Sequence, residues 1–224
     1  MSLRPARLLH EYRGSVIVTP PAVEPVTLAE VTALLLIDGN ADDALLADMI
    51  AEAREFIEHI SGLAMITQVW RLSLDHWPMT RGAWWDGVRE TAISELTGSH
   101  ASLHLPIWPL QAVNSVTVFN AAGTSSAVDV AATFDADTYQ RPGRLTLRNG
   151  ATWPIALRDS NAIQIQYSAG YGGSGVNVPA PLRRAVKQMV SHMYAHRGDG
   201  CDAGDAYADS GAAAIVGRYK VIKI

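Results

Sequence analysis

Between residues 42 and 62 the apolar positions Leu45, Leu46, Met49, Ile50, Ala53, Phe56, Ile57 and Ile60 fall three and four apart. That spacing predicts an amphipathic helix over 42–61. Asp42 can cap it, Asp43 sits beside the positive end of the helix dipole, and Gly62 is a left-handed stop. A shorter helix is predicted upstream, over about 27–36. There Thr27-Leu-Ala-Glu30 reads as a capping box, with the Thr27 hydroxyl capping the first turn and Glu30 returning a bond to the Thr27 amide. A third stripe, Leu182, Ala185, Val186, Met189, Val190 and Met193, predicts a helix over 179–197 that Gly198 ends.

From Thr67 the period changes to two. Trp70, Leu72 and Leu74 share one face, with Arg71 and Ser73 on the other. Further strands are predicted at Ser102–Leu105, Val113–Phe119, Ala127–Val130, Arg144–Leu147 and Ile163–Tyr167, separated by Ala122-Gly123, Pro142-Gly143 and Asn149-Gly150. In the last of these, Ile163, Ile165 and Tyr167 oppose Gln164 and Gln166. The order of helix, helix, several strands, helix implies an α+β fold: a small helical bundle with an antiparallel β-rich part between 66 and 168. Residues 1–24 read as an arm ending at Pro20-Pro21, and residues 25–197 as one domain. Met79–Ala101 fits this pattern poorly. Its Trp84-Trp85 pair is an aromatic anchor, either covering an end of the sheet or meeting a neighbouring subunit.

Composition narrows the function. A net charge of −4 over 224 residues gives no basic surface for nucleic acid. One cysteine, Cys201, excludes an internal disulfide and fits a cytoplasmic folding environment. Glu11 and Arg13 interrupt any signal-peptide core, and no apolar run approaches the roughly 20 residues of a membrane span.

Candidate chemistry is sparse. The loop Gly170-Tyr-Gly-Gly-Ser-Gly175 sits where a phosphate loop would, but it has no Lys-Ser/Thr end, and Pro179 and Pro181 separate it from the helix. A flexible connection is the expected role. Gly172-Gly-Ser174-Gly175 is not a nucleophile elbow, because position 176 is Val. His192 and His196 share a helix face with Cys201 and Asp202 nearby, the one spacing here that suits zinc. No second group supports it, and no cofactor is implied. Trp77, Trp108 and Trp153 each precede a proline, as at packed strand ends. The expectation is a protein that is not an enzyme. Two other readings stay open: a carbohydrate- or ligand-binding β module using the tryptophans, and a metal-dependent hydrolase using the two histidines.

The C-terminus stands apart. Gly198–Gly211 holds four Asp, four Gly and no Val, Ile, Leu, Met or Phe, which predicts a flexible acidic spacer over 198–214. Beyond it Ile215–Ile224 (IVGRYKVIKI) combines five aliphatic residues, a tyrosine and three positive charges. An apolar tail on a tether either folds back or enters a partner. A 14-residue spacer would span about 20 Å.

The order of these segments resembles the head–tail connector (adaptor) proteins of tailed bacteriophages with HK97-like portals and of gene transfer agents. The resemblance rests on Glu24-Pro-Val-Thr-Leu-Ala-Glu30, Leu36-Ile-Asp38, Ala51-Glu-Ala-Arg54-Glu55-Phe-Ile, Ile66-Thr-Gln68-Val-Trp70 and Leu74-Asp75-His-Trp-Pro78. It continues through Leu103-His-Leu-Pro106-Ile-Trp-Pro109-Leu-Gln-Ala-Val113-Asn-Ser-Val116, Pro142-Gly143-Arg144 and Trp153-Pro154. Ala169-Gly-Tyr-Gly172, Val178-Pro-Ala-Pro181-Leu-Arg-Arg-Ala and Arg218-Tyr219 complete it.

It implies a structural virion protein of the head–tail junction, assembled in the host cytoplasm. Its subunits would form a ring, usually of twelve, under the portal protein. That ring would extend a conduit for double-stranded DNA without reading its sequence, and carry a stopper or tail-completion protein below. The portal-binding tail would comprise Ile215, Val216, Arg218, Tyr219, Lys220, Val221, Ile222 and Ile224, with Trp84 and Trp85 as candidate subunit-interface residues. The Met79–Ala101 segment and the acidic spacer are longer than that pattern, and the tail lacks a proline before Tyr219.

Overall fold

The computed structural model describes residues 14–77, 102–154, 157–198 and 202–220. Trp84, Trp85, Cys201, Val221, Ile222 and Ile224 lie outside them. Instead of one domain, the described chain divides into two compact units, each with its own core. The first takes residues 14–18, 69–77, 102–106, 110–154 and 157–168; the second takes 19–68, 107–109, 169–198 and 202–220.

The first unit is built on antiparallel strands. A five-stranded sheet runs in the order β1 (Ser15–Thr19), β2 (Gln68–Leu74), β8 (Ile163–Ala169), β4 (Leu110–Phe119) and β5 (Ser125–Val128). A three-stranded sheet runs β3 (Ser102–His104), β7 (Arg144–Leu147) and β6 (Phe134–Asp137). The alternation in β8 is as the sequence predicts: Ile163, Ile165, Tyr167 and Ala169 are buried and the residues between them are half-buried. Its core also holds Leu72, Leu103, Leu105, Val116, Phe134 and Leu145.

Three features depart from the sequence reading. The expected arm contains β1, whose β-branched Val16-Ile17-Val18 suits an extended strand. A short helix, α3 (Val130–Thr133), follows β5, capped by Asp129 Oδ1, which accepts from the Ala132 amide at 3.1 Å. β6 was not predicted: Phe134-Asp-Ala-Asp137 carries too little apolar signal by itself. Pairing with β7 supplies its partners, including Arg148–Asp135 at 2.8 Å and Arg144–Asp137 at 3.1 Å.

The second unit is helical. It holds α1 (Leu28–Leu35), α2 (Asp43–Ser61), α4 (Ala180–Ala195), α5 (Ala203–Asp209) and α6 (Ala212–Val216). Leu46, Met49, Ile50, Ala53 and Ile57 of α2 face Leu182, Ala185, Val186, Met189 and Val190 of α4 in one core with Trp108. Both predicted stripes are therefore core faces, except that Leu45 of the α2 stripe is exposed. Two caps differ in detail. Thr27 Oγ1 accepts from the Glu30 amide at 3.3 Å, but the Glu30 carboxylate turns to Arg183 and Lys187 of α4. Asp42 makes no side-chain cap and instead accepts from the Tyr194 hydroxyl at 2.6 Å.

Among the described residues expected to be a flexible spacer, Ala203–Asp209 form α5 and those from Ala212 begin α6. Asp202 Oδ1 caps α5 by accepting from the Asp205 amide at 2.9 Å. Gly211, at φ 81°, makes the left-handed turn into α6. Ala203, Ala206, Ala212 and Val216 are buried, and Tyr207 meets Phe56 with ring centroids 5.5 Å apart. Small side chains let these short helices approach α4 closely, so burial comes from contact rather than from bulky residues. Among the described residues no helix is long and apolar enough to cross a membrane.

Candidate interaction surface

The glycine-rich loop is a packing device. A Cβ on Gly170, at φ 139°, would lie 2.6 Å from the Ile66 backbone, and the Gly172 carbonyl accepts from the Thr67 amide at 2.9 Å. A Cβ on Gly175 would lie 2.6 Å from the Pro25 carbonyl oxygen. These glycines let backbone meet backbone, so the loop is held in place rather than being a flexible connection.

The histidine pair stacks, with His192 and His196 ring centroids 4.2 Å apart and His196 Nδ1 2.8 Å from the His192 carbonyl. No group of three His, Cys, Asp or Glu is placed to hold a metal among the described residues. Trp77, Trp108 and Trp153 pack inside the units. Trp77 stacks on Trp153 at 4.6 Å beside Phe134 and donates Nε1–H to the Pro154 carbonyl at 2.9 Å. Trp108 is buried against Tyr171.

One buried ionic cluster spans the second unit. Arg54 of α2 donates to Glu24 at 2.7 Å and to Glu58 at 2.9 Å. Glu58 also accepts from the Met65 amide at 2.7 Å and from Gln68 Nε2 at 2.9 Å. Burial pushes the Glu58 carboxyl above its ordinary range against these bonds. Burial opposes the charge on Arg54 as well, but Glu24 and Glu58 outweigh it and hold the guanidinium above its usual value. Glu24, Met65 and Gln68 lie on either side of α2 in the sequence, which makes the cluster a clamp between α2 and the chain flanking it. At Glu30, burial raises the carboxyl, but Arg183 and Lys187 overcome it and hold it below its ordinary value.

One outward surface is formed by α4 and α6. Between them lies a cavity of about 750 Å³, lined by Ala180, Pro181, Arg184 and Gln188 of α4 and by Gly211, Ala214, Ile215, Arg218 and Tyr219 around α6. Its floor is apolar and Arg184 and Arg218 are exposed at its edge. The described tail residues thus lie on the chain's own helices. Val216 is fully buried, Ile215 and Tyr219 are half-buried, and Arg218 and Lys220 are exposed, with the Lys220 ammonium 5.7 Å from the Tyr207 ring centre.

Arg184 and Gln188 were not singled out in the sequence. They were legible only indirectly, as the α4 positions opposite the Leu182–Met193 stripe, and nothing in a single sequence says that α6 stands across from them.

No family model matches the chain, and no curated protein matches it either. Solved structures do. The chain is similar to one in the neck of an empty gene transfer agent (GTA) particle computed with C6 symmetry, at 22% identity and a TM-score of 0.71, covering 94% of this chain and 96% of that one. A chain of the virion of a native GTA particle matches at 24% identity and a TM-score of 0.69, with 94% and 96% covered. A third, from the neck of a native GTA particle computed with C12 symmetry, matches at 23% identity and a TM-score of 0.68, with 93% and 97% covered. From end to end, this chain has the fold of proteins found in gene transfer agent particles and their necks.

Proposed function

We propose that this protein is a structural subunit of the neck of a phage-like particle, a head–tail adaptor without catalytic function. The observation that carries this reading is the two-way coverage: 94% of this chain matches 96% of a neck chain. The ordered motifs from Glu24 to Tyr219 support the same assignment. Copies of the chain form a ring, twelvefold on the C12 symmetry with which one matching neck was computed. The ring sits under the portal protein, passes double-stranded DNA without reading its sequence, and offers its lower face to a stopper or tail-completion protein. The protein is then resident at the head–tail junction of the virion.

The C-terminal segment is the portal-binding element in this reading. With Val216 in the core of the free subunit, the buried part of Ile215–Ile224 serves the subunit's own fold. Contact with the portal then falls to the exposed Lys220 and to the residues after it. The test is to mix purified subunit with the portal protein of the same particle and to image the product by negative stain. A ring on the portal is expected, and its loss on removing residues 220–224, beyond the buried Val216. Absence of any complex at micromolar concentration would end the adaptor reading; undiminished docking by the shortened chain would end the role of the tail.

A further inference from the structure

On α2, the exposed Asp48, Glu52 and Glu55 follow one another at steps of four and three residues. At 100° per residue they lie about 180° from the core face of Leu46, Ala53 and Ile57. They form an acidic ridge along the outside of the helix, flanked by Leu45, which is 39% exposed. Asp48 and Glu52 have no ion-pair partner among the described residues. On α4 the cavity positions Ala180, Pro181, Arg184 and Gln188 are likewise turned away from the core stripe. Arg184 and Arg218 too have no ion-pair partner among the described residues. Because α2 and α4 pack core face to core face, the ridge and the cavity lie on opposite outer sides of the same helix pair.

We propose that the cavity between α4 and α6 is a socket for the acidic ridge of α2 from a second copy of this chain. Arg184 and Arg218 would meet Asp48 and Glu52, and the apolar floor of Pro181, Ala214 and Ile215 would take Leu45. The two surfaces differ in sign and in shape, one convex and one concave, and they lie on opposite sides of the helix pair, so one subunit cannot offer both to the same partner and the pairing is head-to-tail. Repeated, such a contact makes a ring where the rotation closes. The inference rests on the ring reading above and names the surfaces that build the ring. Opposite charges at the rim steer assembly and make it weaken with salt.

The test uses the full-length chain in two charge-reversed forms, Arg184→Glu with Arg218→Glu, and Asp48→Lys with Glu52→Lys. Association is followed by sedimentation velocity over a concentration series at low and high salt, and by counting rings formed on the portal. Each form alone sets like charge against like, and roughly tenfold or greater weakening is expected. An equal mixture restores opposite signs at every contact, so association should return to near the wild-type level. That recovery also shows that both forms are folded.

Wild-type association by either form alone, or a mixture no better than its components, overturns the socket while leaving the ring reading standing. Loss in the cavity form with no loss in the ridge form gives the cavity to another occupant and overturns it equally. A wild-type chain that stays monomeric both alone and with the portal removes the ring reading, and the socket with it.

Discussion

α2 and the α5–α6 pair become ordered by opposite means. α2 carries its own instructions: large aliphatic residues on one face, an acidic first turn and Gly62 in the left-handed conformation at its end. The α5–α6 segment has almost no such payload, and its helices are only 7 and 5 residues long. Helices so short are marginal in water. They persist because α4 and α2 provide a surface that alanines can approach closely, and because Asp202 satisfies the amide of Asp205. One element brings its burial with it; the other borrows it.

The sharpest way to separate these two cases is to break each at its own anchor. Glu58→Ala in α2 leaves the buried Arg54 without its closest helical partner and leaves the Met65 amide and Gln68 unsatisfied. A loss of about 3–5 kcal/mol is expected, read as a shifted midpoint in urea unfolding of the whole second unit. A loss near zero would mean that the cluster is solvated rather than clamped.

At the borrowed element, Ala206→Leu forces a larger side chain into a fully buried position against α4. About 1–3 kcal/mol of strain is expected. Because α5 depends on that contact, the effect should be local: hydrogen exchange should rise across 203–219 while protection in α2 is kept. Uniform loss of protection would show that α5 and α6 are integral to the core and not an addition to it.

The smallest effect is at the cap. Asp202→Ala removes the acceptor for the Asp205 amide and should cost about 1 kcal/mol. Faster exchange confined to the first turn of α5 is the expected signature. No change at Asp205 would mean that water replaces the cap without loss.

Much of the site's framework was legible. The 3-and-4 stripes of α2 and α4 mark their core faces because burial of a helix follows its period. The same periodicity implicitly marks Asp48, Glu52, Arg184 and Gln188 as outward. What could not be read was the partner of each. Glu30 looks like half of a capping box, yet its carboxylate serves Arg183, 153 residues away in sequence. Local motifs report which bonds a side chain can make, not which competitor will be closer after folding.

The sequence by itself determined the α+β class, helices α1, α2 and α4, and most of the alternating strands. These depend on periodicity and residue chemistry, which are local. Only the tertiary structure decided that the acidic, aliphatic-poor stretch after Gly198 folds, that Val216 is core, and that the chain forms two units. Those outcomes depend on surface supplied by distant residues. An alanine's worth in a fold is set by the closeness of what faces it, and a single sequence does not record that distance.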